Sequence, residues 1–137
     1  KIMKASLLSA FSVLKEAGLE RPDAIIAATS RGMYELSTLF LEDISNNGEE
    51  LLKPTLFMQS THNTIASAIA IRTACHGYNI TYSQGDASAE WAVRDAKMLL
   101  RKGEVKNVLV CAFDEELEEG RTCAFKAEST LYTLDHE

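Results

Sequence analysis

The chain has 137 residues, 46% hydrophobic and 25% charged, with seven glycines and two prolines; this is the composition of one packed globular domain and excludes disorder and low complexity. Fourteen basic against twenty acidic residues leave a formal charge of −6, which argues against nucleic acid as a partner. The three cysteines, at 75, 111 and 123, are odd in number and lack C-x-x-C spacing, so they read as buried free thiols of a reducing compartment rather than a disulfide framework or a zinc site.

Met3, Leu7, Phe11 and Leu14 recur at helical spacing, and Gly18 is a natural stop for that first helix. Residues 23–29 form a short apolar run, the pattern of a strand covered on both faces. A second helix is expected over residues 33–44, broken by Asn46, Asn47 and Gly48, and residues 49–57 read as a loop. The third helix, over residues 63–75, carries Ile65, Ala66, Ala68, Ile69, Ala70 and Ile71 and so little polar surface that burial is expected nearly all round. Gly77 ends it, and Tyr78-Asn79-Ile80-Thr81-Tyr82-Ser83 has the aromatic and β-branched content of a strand.

After Gln84, Gly85 and Asp86 a helix is expected over residues 87–102. Its inner face is Ala89, Ala92, Val93, Ala96, Leu99 and Leu100; Glu90, Arg94, Asp95, Lys97 and Arg101 point outward, with Glu90 and Arg94 four apart in the favourable order. Residues 105–113 hold the clearest buried strand. Beyond it Asp114, Glu115, Glu116, Glu118 and Glu119 read as an acidic surface tail over residues 114–137 of a single, partial domain, 1–137. No run reaches the ~18–20 consecutive apolar residues of a membrane span, and no signal peptide is expected; a cytoplasmic protein is expected. Lys1-Ile2-Met3-Lys4 already reads as helix, as in a piece of a longer chain. Strands alternating with helices predict an α/β fold with a mostly parallel sheet.

In such a fold function sits beyond the carboxyl ends of the strands. Two such ends stand out: Ser83-Gln84-Gly85-Asp86-Ala87-Ser88, and Phe113-Asp114-Glu115. The G-x-S-x-G elbow is absent, so Asp86 is either a carboxylate nucleophile at a helix start or that helix's cap. Ser83, Gln84 and Ser88 are either substrate contacts or turn and capping residues. His62, next to Asn63 and Thr64, is the better-placed histidine for substrate, with capping as the alternative. Cys75 and His76 are adjacent and point apart, so they make no dyad. Histidines at 62, 76 and 136 have no metal-ligand spacing, and phosphate and dinucleotide loops are missing; no metal and no cofactor are expected.

Over residues 6–115 the chain resembles the N-terminal half of the β-ketoacyl synthases, the thiolase-fold condensing enzymes of fatty-acid and polyketide synthesis. The matching pieces are Lys15-Glu16-Ala17-Gly18-Leu19, the strand ending at Thr29, Pro54-Thr55-Leu56-Phe57, Ser60, Asn63, the apolar helix after it, and, most specifically, His76 to Ser83, which is similar to the family's G-x-N-x-T-x-S strand. The resemblance implies a partial thiolase-like fold, a mostly parallel sheet with a buried helix and flanking helices. In active members that strand is followed by Thr-Ala-Cys-Ala-Ser, whose cysteine carries the acyl group; here the register reads Gln84-Gly85-Asp86-Ala87-Ser88, with Asp86 in the nucleophile's place. The family's first strand and its two catalytic histidines fall outside this sequence. The resemblance therefore implies a non-condensing partner subunit, similar to a chain-length factor and to components of aryl-polyene pigment clusters. It would dimerise with itself or with a ketosynthase through residues 78–83, and an acyl carrier protein is a further expected partner. The overall acidity weighs against that last partner, because carrier proteins are themselves acidic. Two alternatives remain: an active acyltransferase or hydrolase working through Asp86, and a non-enzymatic interaction domain.

Overall fold

The computed structural model describes residues 2–50, 52–119 and 121–134. Its elements run α1 (Ile2–Glu16), β1 (Ala24–Ala28), α2 (Tyr34–Asn47), α3 (Pro54–Ser60), α4 (Thr64–Thr73), β2 (Asn79–Tyr82), a 3-10 turn (Gly85–Ala87), α5 (Ser88–Arg101), β3 (Val108–Glu118) and β4 (Arg121–Tyr132). The strands form one sheet in the order β2-β1-β3-β4, parallel across the first three and antiparallel between β3 and β4. This is the α/β fold with a mostly parallel sheet that the sequence predicts.

The two-residue period of a strand divides the core in two. Ile25, Ala27, Leu109, Cys111 and Phe113 face α1 and α4, where they meet Ile2, Leu7, Ala10, Leu14, Ile65, Ala66 and Ile69. Ala24, Ile26, Ala28, Val108 and Val110 face Ala92, Ala96, Leu99 and Leu100 of α5. β1, flanked by β2 and β3 and covered by both layers, is buried along its whole length. Gly18, at φ +69, follows the end of α1 and donates its N–H to the Lys15 carbonyl, as expected of a helix stop. Glu90 and Arg94 form the anticipated ion pair at 2.7 Å.

Four expectations are corrected. Residues 49–57 are not all loop: Pro54 opens α3, where a missing N–H costs nothing because the first turn has no acceptor for it. The acidic run from Asp114 is not a loose tail. Its first residues extend β3 to Glu118, and β4 pairs back along the whole of β3. β4 is held under α1, with Ala127 and Leu131 against the core and the Ser9 and Ser129 hydroxyls 2.8 Å apart; residues 120 and 135–137 lie outside the described residues. The α4 helix is buried on one side only, through Ile65, Ala66, Ile69 and Thr73, while Ile71 is 80% exposed. Of the cysteines, Cys75 and Cys111 are buried but Cys123, on β4, is exposed. Among the described residues no helix is long and apolar enough to cross a membrane.

Candidate functional site

At the carboxyl edge of the sheet two turns are fastened to each other. Leaving β1, the chain turns through Thr29, Ser30, Arg31 and Gly32 around one carboxylate, that of Asp114 on β3. Its Oδ1 accepts from the Thr29 hydroxyl (3.0 Å) and from the N–H groups of Ser30 (2.8 Å) and Arg31 (3.3 Å). Thr29 Oγ1 in turn accepts the Gly32 N–H at 2.9 Å. Leaving β2, the chain enters the 3-10 turn, and Ser88 holds that turn closed. Its hydroxyl accepts the Gln84 N–H at 2.7 Å, and its single proton lies between the carbonyls of Gly85 (2.7 Å) and Thr29 (3.0 Å). The Ser30 hydroxyl donates to the same Gly85 carbonyl at 3.0 Å, tying turn to turn. Gly85, at φ +58, adopts a conformation that a side chain would strain.

Asp86 stands on this fastened turn, directly before the amino end of α5, as the sequence register predicts. Its carboxylate is exposed and makes no hydrogen bond among the described residues; the cap expected as one alternative is not formed, since α5 has no side-chain cap. Ser83 and Gln84 are exposed at the same edge, whereas Ser88 is 3% exposed with its hydroxyl engaged by backbone, which removes it from contact with a substrate. His62 is exposed, and its ring covers Gly32: a Cβ there would meet the imidazole at 2.8 Å. His62 and the turn after β1 thus share one edge. Cys75 lies at the other end of β2, buried where α4 finishes. Burial pushes the Cys111 thiol above its ordinary range, partly offset by the hydroxyls of Ser129, Ser9 and Ser6, so Cys111 is not poised as a thiolate. Among the described residues no group of three or more His, Cys, Asp or Glu side chains could hold a metal ion.

Beside this edge the outer side of β2 is open. β2 is the last strand of the sheet, and its bonds to β1 use residues 78, 80 and 82, as the Ile25 N–H to Tyr78 and Thr29 N–H to Tyr82 bonds show. Asn79 and Thr81 therefore turn their backbone groups outward. Below β2 the Tyr78 and Tyr82 hydroxyls both donate to Asp95 Oδ2, at 2.8 and 3.0 Å, and Tyr78 is pushed up to about 12 by desolvation and by the Asp95 carboxylate. Above it the Asn79 amide donates to the Ala66 carbonyl at 3.2 Å, joining β2 to α4. Between α3 and α4 runs a groove of about 530 Å³ with Phe57, Met58, Ala68 and Ile71 in its walls. Sequence reasoning missed this groove because it took residues 49–57 as loop and α4 as buried. The signal present was Pro54 ahead of an apolar run, a helix start.

The sequence model of the beta-ketoacyl synthase N-terminal domain matches residues 1–134. No curated protein sequence matches the chain. Among solved structures, a ketosynthase (ApeO) in complex with its chain length factor (ApeC) from Xenorhabdus doucetiae superposes with a TM-score of 0.80 at 22% identity, over 95% of this chain and 56% of that one. The ishigamide ketosynthase/chain length factor gives 0.74 at 23% identity, over 88% and 35%. The 3-oxoacyl-[acyl-carrier-protein] synthase III of Aquifex aeolicus VF5 gives 0.55 at 21%, over 83% and 30%. The chain thus spans about half or less of the solved chains it matches, and the likeness is one of fold.

Proposed function

The chain belongs to the beta-ketoacyl synthase N-terminal domain family, and from that premise we propose that it serves as a non-condensing partner subunit of a ketosynthase, in the manner of a chain-length factor. The observation that carries this reading is Asp86. In the family register it takes the place of the nucleophile, at the start of α5, on a turn that four side-chain hydrogen bonds hold in shape. Condensation begins with an acyl group moved onto a thiolate. A carboxylate forms no thioester, and neither buried cysteine stands on that turn.

The partner joins through the open side of β2. Pairing there satisfies the outward backbone groups of Asn79 and Thr81 and extends the sheet across the interface. The groove beside it supports a role in shaping an acyl tunnel: α4 forms one of its walls and is bonded to β2 through Asn79, so an apolar chain bound near the interface would meet Phe57, Met58 and Ile71. The acyl chain arrives on a carrier protein, and the soluble complex works in the cytoplasm.

Two measurements test the proposal. Incubation with an acyl-thioester analogue should leave the mass of the full chain unchanged, and a covalent adduct lost in Asp86→Ala would restore the acyltransferase reading. Co-purification with a ketosynthase of the same gene neighbourhood should yield a complex that Thr81→Pro abolishes. That change removes an outward N–H and no ladder bond to β1, and persistence of the complex would refute the β2 interface.

A further inference from the structure

We infer that Asp95 is a positioning residue for the partner interface: from α5 it holds the edge strand β2 in the extended form that the ketosynthase pairs with. The inference rests on the reading above and names what keeps that edge ready. β2 has four residues and one ladder, to β1. An edge strand so short, bonded on one side, is the kind of element that opens locally. Its side chains supply the missing constraint. Tyr78 and Tyr82 stand four apart, roughly 13 Å along an extended chain, and point to the same face. Their hydroxyls nevertheless converge on one atom, Asp95 Oδ2, at 2.8 and 3.0 Å. Between them Ile80 packs against the α5 layer of the core, and on the other face Asn79 is bonded to the Ala66 carbonyl of α4. The strand is held from both faces, while the outward backbone groups of Asn79 and Thr81 take no part in these bonds.

A carboxylate oxygen has lone pairs for two donors, and a bond to a charged acceptor is stronger than one between neutral groups. Both phenols keep their protons: desolvation and the Asp95 carboxylate raise Tyr82 and push Tyr78 up to about 12, so the clamp stays closed at neutral pH. The Tyr78 bond is exposed, so its net contribution to global stability is small. What it restricts is the local freedom of β2. The affinity of a partner scales with the fraction of chains whose edge is already extended, so Asp95 acts on association through the two tyrosines.

Association of the full chain with the ketosynthase, followed in real time, tests this. Asp95→Ala should lower the affinity about fivefold or more, through the association rate. It should also speed amide exchange in the free chain at Ile80 and Tyr82, which face β1. Asp95→Asn, which keeps an acceptor oxygen, should recover most of both. Tyr78→Phe/Tyr82→Phe should match Asp95→Ala, and combining all three changes should be no worse, because the three side chains form one unit. Should Asp95→Ala melt below the assay temperature, the double tyrosine variant carries the same test. A tie that served stability alone would lower the melting temperature of these variants and leave association of the folded chains unchanged. That result, or a loss in Asp95→Asn equal to that in Asp95→Ala, overturns the role of Asp95 and leaves the β2 interface standing. A wild-type chain that does not join the ketosynthase overturns the proposed function, and the inference with it.

Discussion

The amino and carboxyl edges of the sheet use the same device to opposite ends. At the amino edge Asp23 ties β1 to β3: its carboxylate accepts the Lys106 N–H and its own N–H donates to the Asn107 side chain, each at 2.8 Å. At the carboxyl edge Asp114 ties β3 to the turn after β1. Below, the backbones pack tightly, for Gly77 lies so close to the Asp23 carbonyl that a Cβ would collide with it, while a cavity of about 660 Å³ opens beside them toward Gly103 and Lys106. Above, they hold open a turn on which Asp86 stands free of hydrogen bonds. One edge is packed backbone against backbone, and the other is a turn held in shape by side chains, with Asp86 exposed on it.

Substitutions that break each edge should separate these roles. Gly77→Ala carries the largest expected effect, because the colliding atom is backbone and cannot swing aside; it should cost about 3 kcal/mol in denaturant unfolding. Asp114→Ala should cost roughly 2–3 kcal/mol by leaving the donors of Thr29, Ser30 and Arg31 without their acceptor, and Asp114→Asn, which keeps an oxygen there, should lose less. Ser88→Ala should cost about 1–2 kcal/mol and loosen the 3-10 turn, seen as faster amide exchange at residues 84–88. Asp86→Asn should lie within about 0.5 kcal/mol of the wild type, since no bond is removed; a large loss there would mean that the fold holds this side chain as tightly as it packs Gly77.

The smallest effect belongs to alkaline pH. Tyr78, at the amino edge, is raised from 10.0 to about 12, so the folded state favours its protonated form. That contribution is complete below pH 10 and is lost as pH rises through about 12. The alkaline unfolding profile of Tyr78→Phe should lack this component of the decline.

Local pattern made much of the fold legible. The 3.6-residue period of α1 and α5 and the apolar runs of β1 and β3 are properties of neighbouring residues, so they read directly. The turn at Gly85 and the position of Asp86 before α5 follow from chain order alone. β4 was not legible because both its faces are partly polar. Ala127 and Leu131 look inward while Lys126 and Glu128 look out, and only pairing with β3 and cover by α1 make it a strand. Ser88 read as a possible substrate contact because nothing in sequence places the Thr29 carbonyl, 59 residues earlier, 3.0 Å from its hydroxyl.

By itself the sequence determined the α/β alternation, the total charge and the place of Asp86 ahead of α5, since each depends on composition, spacing or order. The tertiary structure alone decided which of the described faces are exposed: Ile71 on α4 and the outer side of β2. The physical reason is that exposure and charge distribution belong to pairs of segments distant along the chain, and become defined only when the sheet has brought those segments together.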